Sequence, residues 1–410
     1  MNTAEHADSE VDTRSAGTTA LVRTLFPIVA VAFILFLVTG IALPVLPLHV
    51  HNDLAFGTFV VGLVAGAQFT AALVTRFWSG HYADSRGAKR ASVAGLLLAL
   101  GAGLLYLLSL RLLAAPAWSI AVLVLGRAVL GAGESCVVTG TLAWCLSLAG
   151  PRDAGKVMSW VGLAMYVALA VGAPAGTALY DAAGFGGVAI ATALIPLAGL
   201  ALVARVPGVE PSATARPPFG RVVRAEWKPG LGLALSSIGF GAITTFVVLL
   251  FAERGWEHAW LGLTLFFGAF VLGRLAGGHL PDRLGGARVA LVSVVVEAAG
   301  QALIWVAPSA TVALLGAALS GFGYTLVYPG YGVEAVRRAP PESHGLAMGA
   351  YTAFLDLALG VATPILGLVA SGTGLGAVFL FSAVTVLCSA AMALSLADRL
   401  RVPSPSRSPT

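Results

Sequence analysis

The stretch Arg76-Phe-Trp-Ser-Gly80-His81-Tyr-Ala-Asp84-Ser-Arg86-Gly87-Ala-Lys89-Arg90 decides the fold, because the chain contains it twice. The second copy reads Arg274-Leu-Ala-Gly-Gly278-His279-Leu-Pro-Asp282-Arg283-Leu-Gly285-Gly-Ala-Arg288. Arg, Gly, His, Asp, Gly and Arg recur at identical offsets. Each copy is a short charged segment between two long apolar runs. A loop repeated at half-chain spacing implies two parallel halves built on one plan.

The composition says which solvent those halves face. Of the 410 residues, 58% are hydrophobic and 10% are charged, against about 25% charged in a soluble protein. Mean hydropathy is +0.90. So little charge cannot coat a water-facing surface of this size, so lipid surrounds most of the chain. The net charge of +5 reflects basic loops and does not point to nucleic acid. Cys136, Cys145 and Cys388 all fall in apolar runs. Cys136 and Cys145 lie on one predicted helix about 13 Å apart along its axis, too far for a disulfide. No metal-ligand spacing appears, and no cofactor is expected. Residues 1–24 begin acidic (Glu5, Asp8, Glu10, Asp12). They lack the basic start and short apolar core of a signal peptide and read as a cytoplasmic tail.

A membrane span needs about 20 mainly apolar residues. The chain offers twelve: 25–48, 57–79, 91–113, 117–146, 156–179, 184–206, 229–252, 259–280, 288–307, 310–333, 344–369 and 374–397. The expected fold is therefore an all-α membrane protein of twelve transmembrane helices in two six-helix repeats. With the N-terminus inside, the inner loops carry Arg86, Lys89, Arg90, Arg152, Lys156, Arg205, Arg216, Arg221, Arg224, Lys228, Arg283, Arg288, Arg337 and Arg338, and the C-terminal tail adds Arg399, Arg401 and Arg407. The outer loops carry Arg111 and Arg254. That asymmetry fixes both termini in the cytoplasm. The polar, Pro-rich segment 207–228 reads as a linker. The expected layout is tail 1–24, N-terminal half 25–206, linker 207–228, C-terminal half 229–397 and a disordered tail 398–410.

These residues resemble the major facilitator superfamily. Gly80-x-x-Ala83-Asp84-x-Arg86-Gly87-x-Lys89-Arg90 is similar to its signature between the second and third spans, with Ser85 where a basic residue is usual. Gly40-x-x-x-Pro44-x-x-Pro47 in the first span and Arg127-x-x-x-Gly131-Ala-Gly133-Glu134 in the fourth agree. Gly162 and Gly172-Ala-Pro174-Ala-Gly176 resemble the fifth-span motif of the proton-coupled exporters, with Ala173 interposed. Gly133-Glu134-Ser135 through Trp144, Gly162-Leu-Ala-Met-Tyr166 and Tyr351-Thr-Ala-Phe-Leu-Asp356 look closer to one branch. It is the drug:proton antiporter branch, with its arabinose-efflux-like permeases and exporters of opine-type metal chelators. The resemblance spans residues 25–397. It implies a central cavity lined by spans 1, 4, 7 and 10, with spans 3, 6, 9 and 12 at the periphery.

An ionisable side chain deep in a membrane is by default a functional candidate. Glu134 in span 4 reads as a proton carrier or substrate carboxylate; the structural alternative is a hydrogen bond to a neighbouring helix. Asp356, mid-span 11, reads as a coupling or binding residue, or as a lock within the C-terminal half. Arg127 lies two turns before Glu134, so both point the same way, about 10 Å apart along the axis. A direct ion pair on one helix is thus not expected. An unpaired Arg at that depth is costly, so Arg127 requires a partner elsewhere, as an anion contact, a modulator of Glu134 or a structural tie. Glu297 falls on span 9, and its expected role is a hydrogen bond within the C-terminal half. His81 and His279 occupy equivalent loop positions and read as repeat inheritance ahead of pH sensing.

The repeated segments read as conformational gating loops. Arg76, Arg90, Arg274 and Arg288 are expected to provide partners across the interface between the halves, with Arg86 and Arg283 beside them; Asp84 and Asp282 accept hydrogen bonds at helix ends, and Gly80, Gly87, Gly278 and Gly285 permit tight turns. Charge clusters that form in one state and break in another bias a two-state equilibrium. Pro174, between Gly172 and Gly176, is expected to bend span 5. Phe36, Trp144, Tyr166, Phe240, Tyr324, Tyr328 and Tyr351 are candidate cavity aromatics. No phosphate-binding loop, nucleophile motif or zinc motif appears, which argues against an enzyme or the use of ATP. The expectation is a monomeric, multi-pass, proton-coupled exporter of a small molecule in a bacterial inner membrane, whose partners are substrate, protons and lipid. Its rivals are a proton symporter for a sugar or organic acid and a membrane receptor that does not transport.

Overall fold

The computed structural model describes the backbone of residues 2–150, 153–210, 219–338 and 344–397, and the side chains of 21–150, 153–210, 227–338 and 347–397. The described residues form helices and connecting turns, with no strand among them. Eleven helical segments are long and apolar enough to cross a membrane. One of them, Ala154–Ala204, has 51 residues, about 75 Å of helix. It leaves helical geometry at Gly184, where φ is 61°, a conformation that favours glycine. It therefore makes two passes, which brings the spans among the described residues to twelve.

In chain order the spans are α1 (Leu21–Asp53), α2 (Thr58–Arg86), α3 (Ala88–Leu110), α4 (Pro116–Ala149), α5 (154–183), α6 (185–204), α7 (Trp227–Glu253), α8 (Trp260–Gly277), α9 (Gly286–Trp305), α10 (Ala310–Val336), α11 (Ala347–Thr373) and α12 (Leu375–Ala397). The helix leading into α1 begins at Asn2, and that of α7 begins at Phe219. The expected tail and linker thus include helical backbone continuous with a span. Residues 211–218 of the linker and the tail 398–410 lie outside the described residues.

The two repeated segments end their turns alike, although the first stays helical through Arg86 and the second breaks after Gly277 into a short helix, Leu280–Leu284. Each ends in a glycine with a backbone few other residues adopt: Gly87 at φ 100°, ψ 143° and Gly285 at φ 90°, ψ 135°. Each glycine starts the next span directly. Lys89 Nζ then donates to the carbonyls of Ala204 (3.2 Å) and Val206 (2.6 Å), a cation at the C-terminal end of α6. In the other half, the buried Glu334 accepts from the Ala287 N–H at the start of α9 (3.3 Å) and pairs with Arg337 and Arg338.

Proline shapes two spans near the centre of the molecule. The first helical stretch of α1 stops at Ala42, and Pro44 and Pro47 precede a π-helical turn at His49–Asp53. In α10, helix ends at Tyr324 and resumes at Val327. Pro329 has no N–H for the Thr325 carbonyl and its ring crowds that group, which accounts for the break. Pro174 in α5 keeps helical dihedrals; the departure in that segment is at Gly184. That departure is distinct from the bend expected at Pro174, which is a change of axis that helical dihedrals allow. Gly172 and Gly176 let α5 pack on α1: a Cβ on Gly172 would lie 2.8 Å from Gly40 Cα. Close backbone approach through small residues is a common basis of helix packing in lipid.

The halves meet along α2 with α11 and α5 with α8. The contact is tightest at the end opposite the repeated loops. There Thr58 Oγ1 donates to Gly367 O (2.8 Å) and Thr363 Oγ1 to Gly62 O (3.0 Å). A Cβ on Gly66 would meet Gly360 O at 2.7 Å. Thr264 Oγ1 of α8 donates to Ala170 O of α5 (3.2 Å).

Candidate functional site

Between the halves lies a cavity of about 250 Å³. Its lining comes from α1, α2, α4, α5, α7, α8, α10 and α11, and none comes from α3, α6, α9 or α12. It reaches toward the repeated-loop end as far as Leu142 and Met158, the latter 47% exposed. Most of the wall is apolar or aromatic. Five ionisable side chains interrupt it: Arg76, Arg127, Glu134, Arg274 and Asp356.

Asp356 is brought to the cavity by α11 and pairs with Arg76 of α2, whose Nε lies 2.9 Å from Asp356 Oδ2 and whose Nη2 contacts the same oxygen. Asp356 is 4% exposed. This ion pair joins the two halves of the chain. A pair at such depth is held by mutual attraction and is costly to break from either side. Arg76, expected as part of a loop cluster, is thus a cavity residue well inside α2. Arg274, its counterpart in the second copy, also lines the cavity from α8.

Glu134 is held differently. Gln68 Nε2 of α2 donates to Glu134 Oε2 at 2.6 Å, a contact within the N-terminal half. The close approach depends on Gly131: a Cβ there would collide with the backbone of Gln68. Arg127 is 2% exposed and lies on the same cavity as Glu134. Its Nε and Nη1 have no hydrogen-bond partner among the described residues, and neither does the nearby Tyr106 hydroxyl. The Tyr106 hydroxyl nonetheless lies close enough to Arg127 to interact with it, and Glu134 is in electrostatic reach. No described carboxylate forms an ion pair with Arg127.

The other expected site residues fall as follows. Phe36, Tyr166, Phe240, Tyr324 and Tyr328 line the cavity, joined by Phe69 and Phe270. Tyr166 and Phe270 stack across the halves with ring centroids 3.7 Å apart. Trp144 and Tyr351 do not reach the cavity. Trp144 is fully buried in helix packing, and Tyr351 donates to Tyr328 O (2.7 Å) from behind the wall. Glu297 sits inside the C-terminal half, where Ser236 donates to it. In the repeated loops, Arg86, Arg90, Asp282, Arg283 and Arg288 are exposed, and no ion pair carries those arginines across the halves among the described residues. Gly80 is buried in α2 and Gly278 caps α8. Asp84 lies in the last turn of α2.

Three contributors escaped the sequence reading in identity or place. Gln68 is uncharged, yet an amide in an apolar span was a usable signal. Arg76 does reach across the interface, as expected, but from inside the cavity and not from the loop it abuts. Pro329, which opens α10 beside Tyr324 and Tyr328, sits in a Gly-rich run that masks it.

Twelve described helices in two like halves, closed at one end around a central cavity, have the architecture of a membrane transporter. The family model of the Major Facilitator Superfamily matches residues 28–261 and 229–410, and the chain belongs to that superfamily. A Salmonella typhimurium protein named as an uncharacterized MFS-type transporter is 44% identical over 369 residues, covering 90% of this chain and 95% of its own length. A Burkholderia mallei protein of the same description is 41% identical over 399 residues, covering 97% of each chain. Among solved structures, a nucleoside transporter superposes with a TM-score of 0.73 at 14% identity, covering 91% of this chain and 99% of its own. A bacterial homolog of the human lysosomal transporter Spinster, in an inward-facing and occupied conformation, gives 0.73 at 14% identity, covering 94% and 98%. At such identities these structures speak for the fold alone. The chain is therefore a multi-pass membrane transporter with a small-molecule substrate.

Proposed function

We propose that this chain is a proton-coupled secondary transporter that works by alternating access in the bacterial inner membrane. Both termini would lie in the cytoplasm, the halves 25–206 and 229–397 would rock about the central cavity, and the protein would act as a monomer. One observation carries the reading: the cavity holds two carboxylates with unlike partners. Asp356 is matched by an arginine from the other half, and Glu134 is matched by a neutral amide. A carboxylate facing an amide can gain or lose a proton without breaking a tie between the halves, so Glu134 is the proton carrier and Asp356–Arg76 is the conformational tie. Arg76 and Arg274 with the repeated loops form the gating apparatus, and the exposed loop arginines find partners in the opposite state.

Two couplings suit such a carrier: export by proton antiport, which the fifth-span resemblance supports, and proton symport, which Arg127 supports where the substrate is an anion. Purified protein in liposomes containing a pH-sensitive dye tests the proposal. A proton gradient is imposed, and lipophilic cations, pentoses and an opine chelate are added in turn. Export predicts protons moving against the substrate. Movement in the same direction establishes symport, and substrate flux without proton movement rejects the coupling.

A further inference from the structure

The described charges of the cavity do not balance. Arg76 and Asp356 neutralise each other, and Glu134 is engaged by an amide. Arg127 and Arg274 remain, and neither makes an ion pair among the described residues. Arg127 is the more telling of the two. It is 2% exposed, it lines the cavity, and its Nε and Nη1 complete no hydrogen bond among the described residues. A guanidinium so placed is costly unless an anion meets it, and its planar donor array suits oxyanions. The wall around it is aromatic, with Tyr166, Phe240 and Phe270 facing the same space.

We propose that the substrate is an organic anion, an apolar or aromatic body whose carboxylate or phosphate group docks on Arg127. The inference rests on the reading of this cavity as the substrate site. It also fixes a sign. An anion on Arg127 repels a negative Glu134 and is favoured by a protonated one, and the coupling is reciprocal. A proton and an anionic substrate therefore bind together, which selects symport; a cationic substrate would compete with the proton and select antiport.

The test is a binding measurement on the purified full-length protein, independent of proton movement. The probes are 1-naphthoate, 1-naphthyl phosphate, the neutral 1-naphthamide and 1-naphthylmethylammonium, read by quenching of intrinsic tryptophan fluorescence. At least one anion is expected to bind about tenfold or more tighter than the amide, the pair of anions telling which oxyanion is preferred. Arg127→Gln is expected to erase that preference, and Arg127→Lys, which keeps the charge, to retain part of it. Equal binding of all four probes, tighter binding of the cation, no binding of any probe, or an anion preference untouched in both variants would overturn the proposal. Its failure and that of the coupling reading are separable. A cation that binds here and drives protons in liposomes removes the anion and leaves Glu134 in place. An anion that binds on Arg127 yet moves no protons does the reverse.

Discussion

Glu134 and Glu297 are two carboxylates at membrane depth, and the contrast between them separates transport chemistry from architecture. Each is hydrogen-bonded by a side chain of a neighbouring helix, Gln68 for Glu134 and Ser236 for Glu297. Each also has one of the chain's two glutamines close by. Gln68 binds Glu134 directly. Gln301 binds Gly239 O (3.0 Å) and Ser320 Oγ (2.9 Å) and accepts from Ser382 (2.7 Å). The difference is in what surrounds them. Glu297 is fully buried and its network joins α7, α9, α10 and α12, all in one half. Glu134 opens onto a cavity walled by both halves. Burial of a carboxylate is therefore not a sign of function by itself. The helix that carries it decides, because only some helices face the cavity between the halves.

This contrast can be broken or sharpened by substitution. The largest effect is expected at Glu134: Glu134→Gln keeps size and hydrogen bonding to Gln68 but cannot carry a proton, and substrate-coupled proton flux should fall to background while binding persists. Next comes the tie between halves. Asp356→Asn leaves Arg76 without its counter-charge, and since Arg76 keeps 25% of its surface the loss is about 3 kcal/mol, the low end for a broken buried pair. That corresponds to an equilibrium between states shifted by about 100-fold away from the tied one, which should slow transport, and the swap of Arg76→Asp with Asp356→Arg should recover part of the rate. A smaller effect is expected at the closed end. Gly62→Ala would drive a Cβ into the backbone of Thr363 and Pro364, and overpacking of this kind costs about 1–3 kcal/mol. A Leu43→Cys reporter in the cavity should then label about tenfold faster from the side opposite the repeated loops. The smallest effect on transport belongs to Glu297→Ala. It should lower thermal stability by about 1–3 kcal/mol while the rate per folded molecule stays within about twofold.

The repeated charged loop carried most of the fold. It showed two halves, and apolar run length placed the spans, because the hydrocarbon thickness imposes a length on every pass. Gly87 and Gly285 show why the repeat persists in three dimensions: both turns need the same positive φ. The site was legible where a charge interrupts an apolar run, as at Arg127, Glu134 and Asp356. It was not legible where the partner is distant in sequence. Nothing local pairs Arg76 with Asp356, which come together only because α2 packs on α11. Aromatics were legible in part: five of the seven candidates line the cavity and two do not. Trp144 and Tyr351 lie on helices that border the cavity, but which face of a Gly- and Ala-rich helix turns inward is set by packing that a nearly uniform apolar sequence does not mark.

The central claim is that Glu134 carries the proton and Glu297 does not. The most direct measurement compares substrate-driven proton movement in dye-loaded liposomes for the native protein, Glu134→Gln and Glu297→Gln, each normalised to folded protein. The account predicts background signal for Glu134→Gln and near-native signal for Glu297→Gln. Near-native coupling in Glu134→Gln, or its loss in Glu297→Gln with the fold intact, would contradict it.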